Sequence, residues 1–401
     1  MSAANSKATG PLAGIRILDM TQFILGPVAT QIMGDMGADV IKVEAPSGDA
    51  NRYIGPRQHE GMAALYLGMN RNKRSMVLDL RKPEALQALY KMAAQCDVFM
   101  HSMRPDAASK LGVGADKIMQ HNPRIIYATA PGYRSDGPKR NDPAYDDVIQ
   151  GESGIAGINM KAYGEPRYLP TVLADKFCGH VLASHIGMAL FERERSGLGQ
   201  TVEVPMFESM LAFNMIEHMW TAQLDDPNGT IGYPRALMKE RRPFKTQDGY
   251  ICLMATTDPQ YANLFKAIEQ PELIEDARFN SVTARSERFV ELYEILGTAL
   301  TKQTTKVWEE RLTAAGIPNA RARMLDELQS DPYIVETNFF QTMQHPIAGK
   351  THTTSIPVRY SRTPAQLRRA APVLGEHTEN ILNEFGFTAE QIATISSTTN
   401  P

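Results

Sequence analysis

The sequence predicts an α/β protein of two domains, the larger built on a mostly parallel sheet. Three observations carry this. Short strand-like apolar runs alternate with helical segments through the first half. The 401 residues, 43% hydrophobic, exceed what one ordinary core accommodates. A turn-rich break, Asp225-Asp-Pro-Asn-Gly229, separates the first half from a segment of different pattern.

Residues 14–19 read as a short buried strand, 28–35 as a helix and 38–44 as a second strand. Residues 75–80 are strand-like, 82–95 helical with Pro83 near the start, and 97–103 and 124–130 strand-like again. This order implies βαβ units and a mostly parallel sheet. Residues 176–195 form a long helix closed by Ser196-Gly-Leu-Gly199, followed by a strand at 200–204 and an apolar helix at 207–220. Residues 250–324 read as a smaller α+β unit with helices near 260–268, 285–300 and 306–315. Past Pro332 the chain reads as irregular, then as one helix near 375–385 and a Ser/Thr tail expected to be mobile. One terminal helix cannot form a core alone, so the C-terminal stretch is expected to return to the first domain. The division is 1–225, 226–325 as the small domain, and 326–401 as a returning linker.

Composition excludes several functions. Lys and Arg number 42 against 45 Asp and Glu, so there is no global field to draw in nucleic acid. Cys96, Cys178 and Cys252 are scattered and odd in number, which fits neither a disulfide framework nor zinc and suits a reduced, cytoplasmic compartment. Residues 1–10 lack a leader pattern, and no run is long enough to span a bilayer, so no membrane is expected. His180 and His185 stand five apart on one helix, facing differently, unlike HExxH; no metal site is expected. Gly151-Glu-Ser-Gly-Ile-Ala-Gly157 spaces its glycines as GxxGxxG after no clear strand, which argues against a nicotinamide cofactor.

A series of short stretches carries a family resemblance. They are Gly10-Pro-Leu-Ala-Gly-Ile-Arg-Ile-Leu-Asp19, Gly26-Pro27, Met36-Gly-Ala-Asp-Val-Ile-Lys-Val-Glu44, Asn70-Arg-Asn-Lys-Arg-Ser75, Val77-Leu-Asp-Leu80 and Asn122-Pro-Arg124. Later come Leu173-Ala-Asp175 with Gly179, Gly199-Gln-Thr-Val-Glu-Val204, Ala315-Gly-Ile-Pro318, Asp331-Pro332 and Pro372-Val-Leu-Gly-Glu-His-Thr378. In this order, over nearly the whole chain, they resemble the class III CoA-transferases, which include formyl-CoA transferase and carnitine CoA-transferase. The resemblance implies a Rossmann-like large domain, a small domain near 226–325, and an interlocked homodimer. It implies acyl-CoA and a carboxylic acid as substrates, with no tightly bound cofactor.

Asp175, just before an apolar-periodic helix, reads by itself as a plain N-cap or as a carboxylate whose ionised form the helix dipole favours. The resemblance implies the second: a nucleophile that stores the acyl group as a mixed anhydride and then carries CoA as a thioester. It also implies the CoA contacts. Arg104 and Lys110 bracket a loop, residues 103–111, that holds the nucleotide end; Arg81 follows the strand at 75–80 as a third cation. Gln22 and Phe23 line the thiol end with their backbone. Met103 and Leu111, in the same loop as Arg104 and Lys110, read either as packing on the adenine or as core.

Departures from the family pattern narrow the substrate. Ile24 stands where the oxalate-using branch carries Gln, residues 254–260 lack that branch's glycine lid, and Pro131 and Pro143 replace lysines. Arg235, Lys239, Arg241 and Arg242 read either as contacts for a second carboxylate, such as that of succinate, or as a solvated turn. The related acyl-CoA racemases need a His in the segment 143–147, where this chain has Tyr145, also a CoA-contact candidate. A non-catalytic CoA-binding protein and an intramolecular transferase are the other readings.

Overall fold

The computed structural model describes residues 8–397. The residues read for a leader therefore lie outside the described residues up to position 7, as do residues 398–401 of the tail. Six strands form the main sheet: β1 (Arg16–Asp19), β2 (Asp39–Glu44), β3 (Lys73–Val77), β4 (Val98–His101), β5 (Ile126–Thr129) and β6 (Gln200–Glu203). All neighbours are parallel, in the order β3-β2-β1-β4-β5-β6. This is the doubly wound order, whose direction reverses between β1 and β4 and opens a crevice at the strands' C-terminal ends.

The strands could be read from the sequence because both faces are covered. Ile17, Leu18, Val40, Ile41, Val98, Phe99 and Ile126 are all fully buried, as parallel strands under helices require. In chain order the helices of this part of the chain are α1 (Leu25–Asp35), α2 (Ala64–Met69), α3 (Pro83–Ala93), α4 (Pro105–Leu111), α5 (Ala115–His121), α6 (Asp146–Glu152), α7 (Ile155–Tyr163), α8 (Leu173–Ser196) and α9 (Met206–His218); of these, α7 beyond Ile155 and α9 beyond Asn214 belong to a second compact unit. In α3, Pro83 supplies the preset φ of a first turn, and Ala85, Ala88, Leu89 and Met92 bury one stripe against the sheet.

Among the described residues the chain divides into two compact units. The first runs to Ile155, resumes over Tyr168–Asn214 and again from Glu336; the second is Ala156–Arg167 with Met215–Val335. In the first, Ile381, Leu382 and Phe385 share a core with Leu18, Phe99 and Leu89. The second has a three-stranded antiparallel sheet, β7 (Phe244–Lys245), β8 (Tyr250–Leu253) and β9 (Asn319–Arg321), in that order. Its core holds Phe265, Phe279, Leu292, Leu296 and Trp308, whose indole N–H donates to the Leu300 carbonyl at 2.7 Å.

Several expectations are corrected. The Ser/Thr tail is helical over Ala389–Ser397, with Ile392 and Ile395 buried in the main core. The irregular stretch after Pro332 contains a hairpin, Phe340–His345 with Gly349–Thr354, concealed by its polar side chains. The helix read at 285–300 is two, Val282–Glu287 and Phe289–Leu300. The loop read at 103–111 is mostly α4, with Pro105 at its first position.

The basic run Asn70-Arg-Asn-Lys-Arg-Ser75 is buried throughout. Arg71 donates to Asp35 at 2.7 Å and to the Thr354 carbonyl, tying the hairpin to α1. Arg74 meets both Asp39 and Glu384, and Lys73 lies 3.6 Å from Asp19. Charges this deep persist only when paired.

α1 and α8 cross closely at Gly179, where an added Cβ would lie 2.7 Å from the Leu25 carbonyl oxygen and 3.1 Å from Val28. Gly179→Ala must therefore force the helices apart, with an expected loss of about 1–3 kcal/mol in urea unfolding. An unchanged midpoint would show that the crossing yields freely.

Candidate active site

The C-terminal ends of β1 to β5 open into a cleft of about 800 Å³. Each strand contributes the residues that follow it: Gln22 and Phe23 after β1, Pro46 after β2, Arg81 after β3, Met103 and Arg104 after β4, Pro131 and Gly132 after β5. Asp175, Leu111 and Tyr145 also line it, so the expected nucleophile and every expected CoA contact except Lys110 share one cavity, whereas Arg235, Lys239, Arg241 and Arg242 are not among its lining. Lys110 is exposed in the last turn of α4, outside that lining.

Asp175 does not precede its helix, as the sequence suggested; it is the third residue of α8. The N-cap residue is Val172, whose side chain caps nothing. The capping acceptor comes instead from α6: Oδ1 of buried Asp146 accepts the Asp175 N–H at 3.1 Å. Gln150, also buried, fixes that carboxylate. Its Nε2 donates to Asp146 Oδ2 at 2.5 Å and to the Thr171 carbonyl at 3.3 Å, while its Oε1 accepts the Leu169 N–H at 2.9 Å.

Burial, and secondarily the Asp146 charge, push the Asp175 carboxyl up to about 7. The helix N-terminus favours the ionised form, so the site is poised between its two states near neutrality. One turn on, Cys178 is buried and its thiol is pushed up to about 12, which leaves it inert as a nucleophile.

The loop after β1 rests on buried polar groups. Asp19 Oδ1 accepts the Thr21 N–H at 2.9 Å, and Lys42 Nζ donates to the Thr21 carbonyl at 2.9 Å. Asp49 pairs with Lys42 at 2.9 Å and its Oδ1 accepts the Phe23 N–H at 3.3 Å, while Asn51 Nδ2 donates to the Phe23 carbonyl at 2.5 Å. These bonds hold Phe23 at φ +63°, a left-handed conformation that costs a side-chain-bearing residue energy. Burial lowers the Lys73 ammonium to about 7, against the opposing pull of Asp19. The Phe23 ring meets Tyr145 edge-on across 5.5 Å.

The cations differ in their engagement. Arg104 is the exposed N-cap residue of α4, and Arg81 is exposed but bonded to Asp79 at 2.7 Å. Pro131 and Pro143 line the cleft, whereas Ile24, at the N-cap of α1, does not. Within the second unit, residues 254–257 lead into helix Asp258–Ala267, closed by a capping box of Thr257 and Gln260. There Arg235 donates to Tyr293 Oη at 2.9 Å and stacks over Phe289.

His180 is exposed and bonds the Lys176 carbonyl at 2.8 Å. Among the described residues, no histidine lines the cleft and no cluster of three His, Cys, Asp or Glu could hold a metal. No described helix is long and apolar enough to cross a membrane. Sequence reasoning missed Asp146 and Gln150. Their signal was local: an acidic residue opening an apolar-spaced helix, with an amide one turn on at i+4.

Comparison with known proteins agrees with this architecture. The pattern of CoA-transferase family III matches residues 12–378, a span that includes every candidate above. The probable fatty acyl-CoA transferase Rv3272 of Mycobacterium tuberculosis is 33% identical over 388 residues, covering 93% of this chain and 97% of that one. The human succinyl-CoA:glutarate CoA-transferase is 30% identical over 377 residues, covering 93% and 86%. A crystal structure of Rv3272 superposes with a TM-score of 0.81 at 32% identity, covering 93% of this chain and 99% of that one. The chain therefore belongs to CoA-transferase family III and is a transferase.

Proposed function

We propose that the chain moves CoA from an acyl-CoA donor to a carboxylic acid by covalent catalysis on Asp175. The observation that carries this is a half-buried carboxylate in the first turn of α8, opening into the cleft at the strand ends. The carboxylate attacks the thioester carbonyl, forming a mixed anhydride and expelling CoA thiolate. The thiolate then attacks the aspartyl carbonyl, releasing the first acid and leaving an aspartyl-CoA thioester. The incoming carboxylate attacks that thioester to give a second anhydride and thiolate, which recombine as the new acyl-CoA and free Asp175. In this reading the positive end of the α8 dipole, in whose first turn Asp175 stands, favours the negative charge that develops during attack.

In this reading Arg104, Lys110 and Arg81 meet the phosphates, Met103 and Leu111 the adenine, and Gln22, Phe23 and Tyr145 the thiol end. A dicarboxylate such as succinate is the favoured acyl group; the relative named for succinyl-CoA and glutarate supports that class. A homodimer is part of the proposal, supported by the exposed apolar side chains of Met188, Phe191 and Leu198. The cleft's lack of a histidine lining, among the described residues, weighs against a racemase.

The test is intact-mass spectrometry after incubation with succinyl-CoA. A gain equal to CoA less water, mapped to the peptide bearing Asp175, is expected. Exchange of the α-hydrogen with solvent, without any adduct, would replace this reading with racemisation.

A further inference from the structure

The last residue of β4, His101, is 2% exposed, and sequence reading gave it no role. Register pairs Phe99 with Tyr127 and His101 with Thr129, so the three rings of Phe99, His101 and Tyr127 pack together. Phe99 stacks on Tyr127 at 5.7 Å, and His101 meets Tyr127 edge-on at 5.4 Å.

The polar atoms form one chain. Tyr127 Oη donates to the Val113 carbonyl at 2.9 Å. Its single hydrogen is thereby used, so the 2.6 Å contact to His101 Nε2 must be an N–H that Tyr127 accepts. That tautomer leaves Nδ1 bare, and it accepts the Met103 N–H at 3.1 Å. Burial keeps the imidazole neutral, pushing it down to about 4, as this tautomer requires.

The chain thus begins at Met103 and ends at Val113, the two ends of the segment that contains α4. Arg104 follows the first anchor directly, and Lys110 and Leu111 stand just before the second. A third bond, Tyr90 Oη to the Gly112 carbonyl at 2.6 Å, holds the same turn, where Gly112 sits at φ +83°. As support for the core alone the polar triad has little advantage, since apolar groups of the same shape serve about as well. Its particular effect is to fix where α4 starts and stops.

We propose that His101 and Tyr127 are positioning residues for CoA: one hydrogen-bonded chain clamps both ends of the segment that presents Arg104 and Lys110. This rests on the reading that residues 103–111 hold the nucleotide end of CoA.

Tyr127→Phe removes one oxygen and strands both of its partners. It is expected to raise KM for succinyl-CoA about ten-fold, the worth of one or two hydrogen bonds. KM for the acceptor acid and kcat at saturation should change little. His101→Asn keeps an acceptor at the position of Nδ1, because Oδ1 bonds an N–H two residues on in the same way. It should therefore be milder than His101→Leu, and amide hydrogen exchange should quicken over 103–113 in proportion to each KM.

Arg104→Ala and Lys110→Ala serve as references. If they raise KM for succinyl-CoA while Tyr127→Phe and His101→Leu only lower the melting temperature, the clamp is overturned and the CoA reading stands. If the two cation variants also leave KM unchanged, the reading of 103–111 fails, and the clamp's role in CoA binding fails with it.

Discussion

Asp175→Asn is expected to lower CoA exchange by about 10⁴-fold or more, the scale on which loss of a covalent nucleophile is felt. The amide keeps the size and the place in the helix, so binding of the donor should persist while the CoA adduct vanishes. Wild-type kcat/KM should rise with pH through about 7, because attack needs the ionised carboxylate and the free enzyme holds it up there. The same substitution has an opposite effect on stability. A carboxyl raised from 3.8 to about 7 in the folded state contributes stability that is fully present below pH 3.8 and lost as pH rises through 7. Asparagine has no such loss. The variant should match wild type near pH 4 and exceed it at pH 8 by about 2 kcal/mol, a figure already reduced for partial exposure. A stability difference independent of pH, together with retained exchange, would mean that Asp175 is neither perturbed nor reactive.

What the sequence revealed follows from which forces are local. β1, β2, β4 and β5 were legible because each carries apolar residues buried on both faces, and α3 because its stripe repeats at helical spacing. α4 was not, since Pro105 reads as a breaker unless it is recognised at the first helical position, where its missing N–H costs nothing. The 340–354 hairpin hid behind threonines, glutamines and histidines, whose alternation carries little hydrophobic contrast. At the site, the resemblance identified Asp175, but nothing near it in sequence shows that its N–H is capped from another helix. That acceptor, Asp146, lies 29 residues away. The buried charges Asp19, Lys42, Asp49 and Lys73 were invisible because hydropathy assigns them to the surface and no local pattern shows which charge meets which.

Those charges give the largest stability effect to be expected outside the nucleophile. Asp49→Ala should cost about 3–5 kcal/mol in denaturant unfolding, the usual penalty for removing one partner from a buried ion pair. Asp49 and Lys42 are both fully buried and 2.9 Å apart. Burial by itself would lower the Lys42 ammonium; Asp19 and Asp49 outweigh that and raise it, so removing one of them leaves a cation only half answered. The substitution also takes the acceptor from the Phe23 N–H, one of the bonds that hold φ at +63°. Relaxation of Phe23 would move the backbone that lines the cleft, so activity should fall in the fraction that remains folded. Asp49→Asn separates the two effects, since its amide oxygen can still accept from Phe23 while the charge is lost. It should recover activity more than stability. A loss below about 1 kcal/mol for Asp49→Ala would mean that water reaches Lys42 and that the loop after β1 is held by Asp19 and Asn51 without the ion pair.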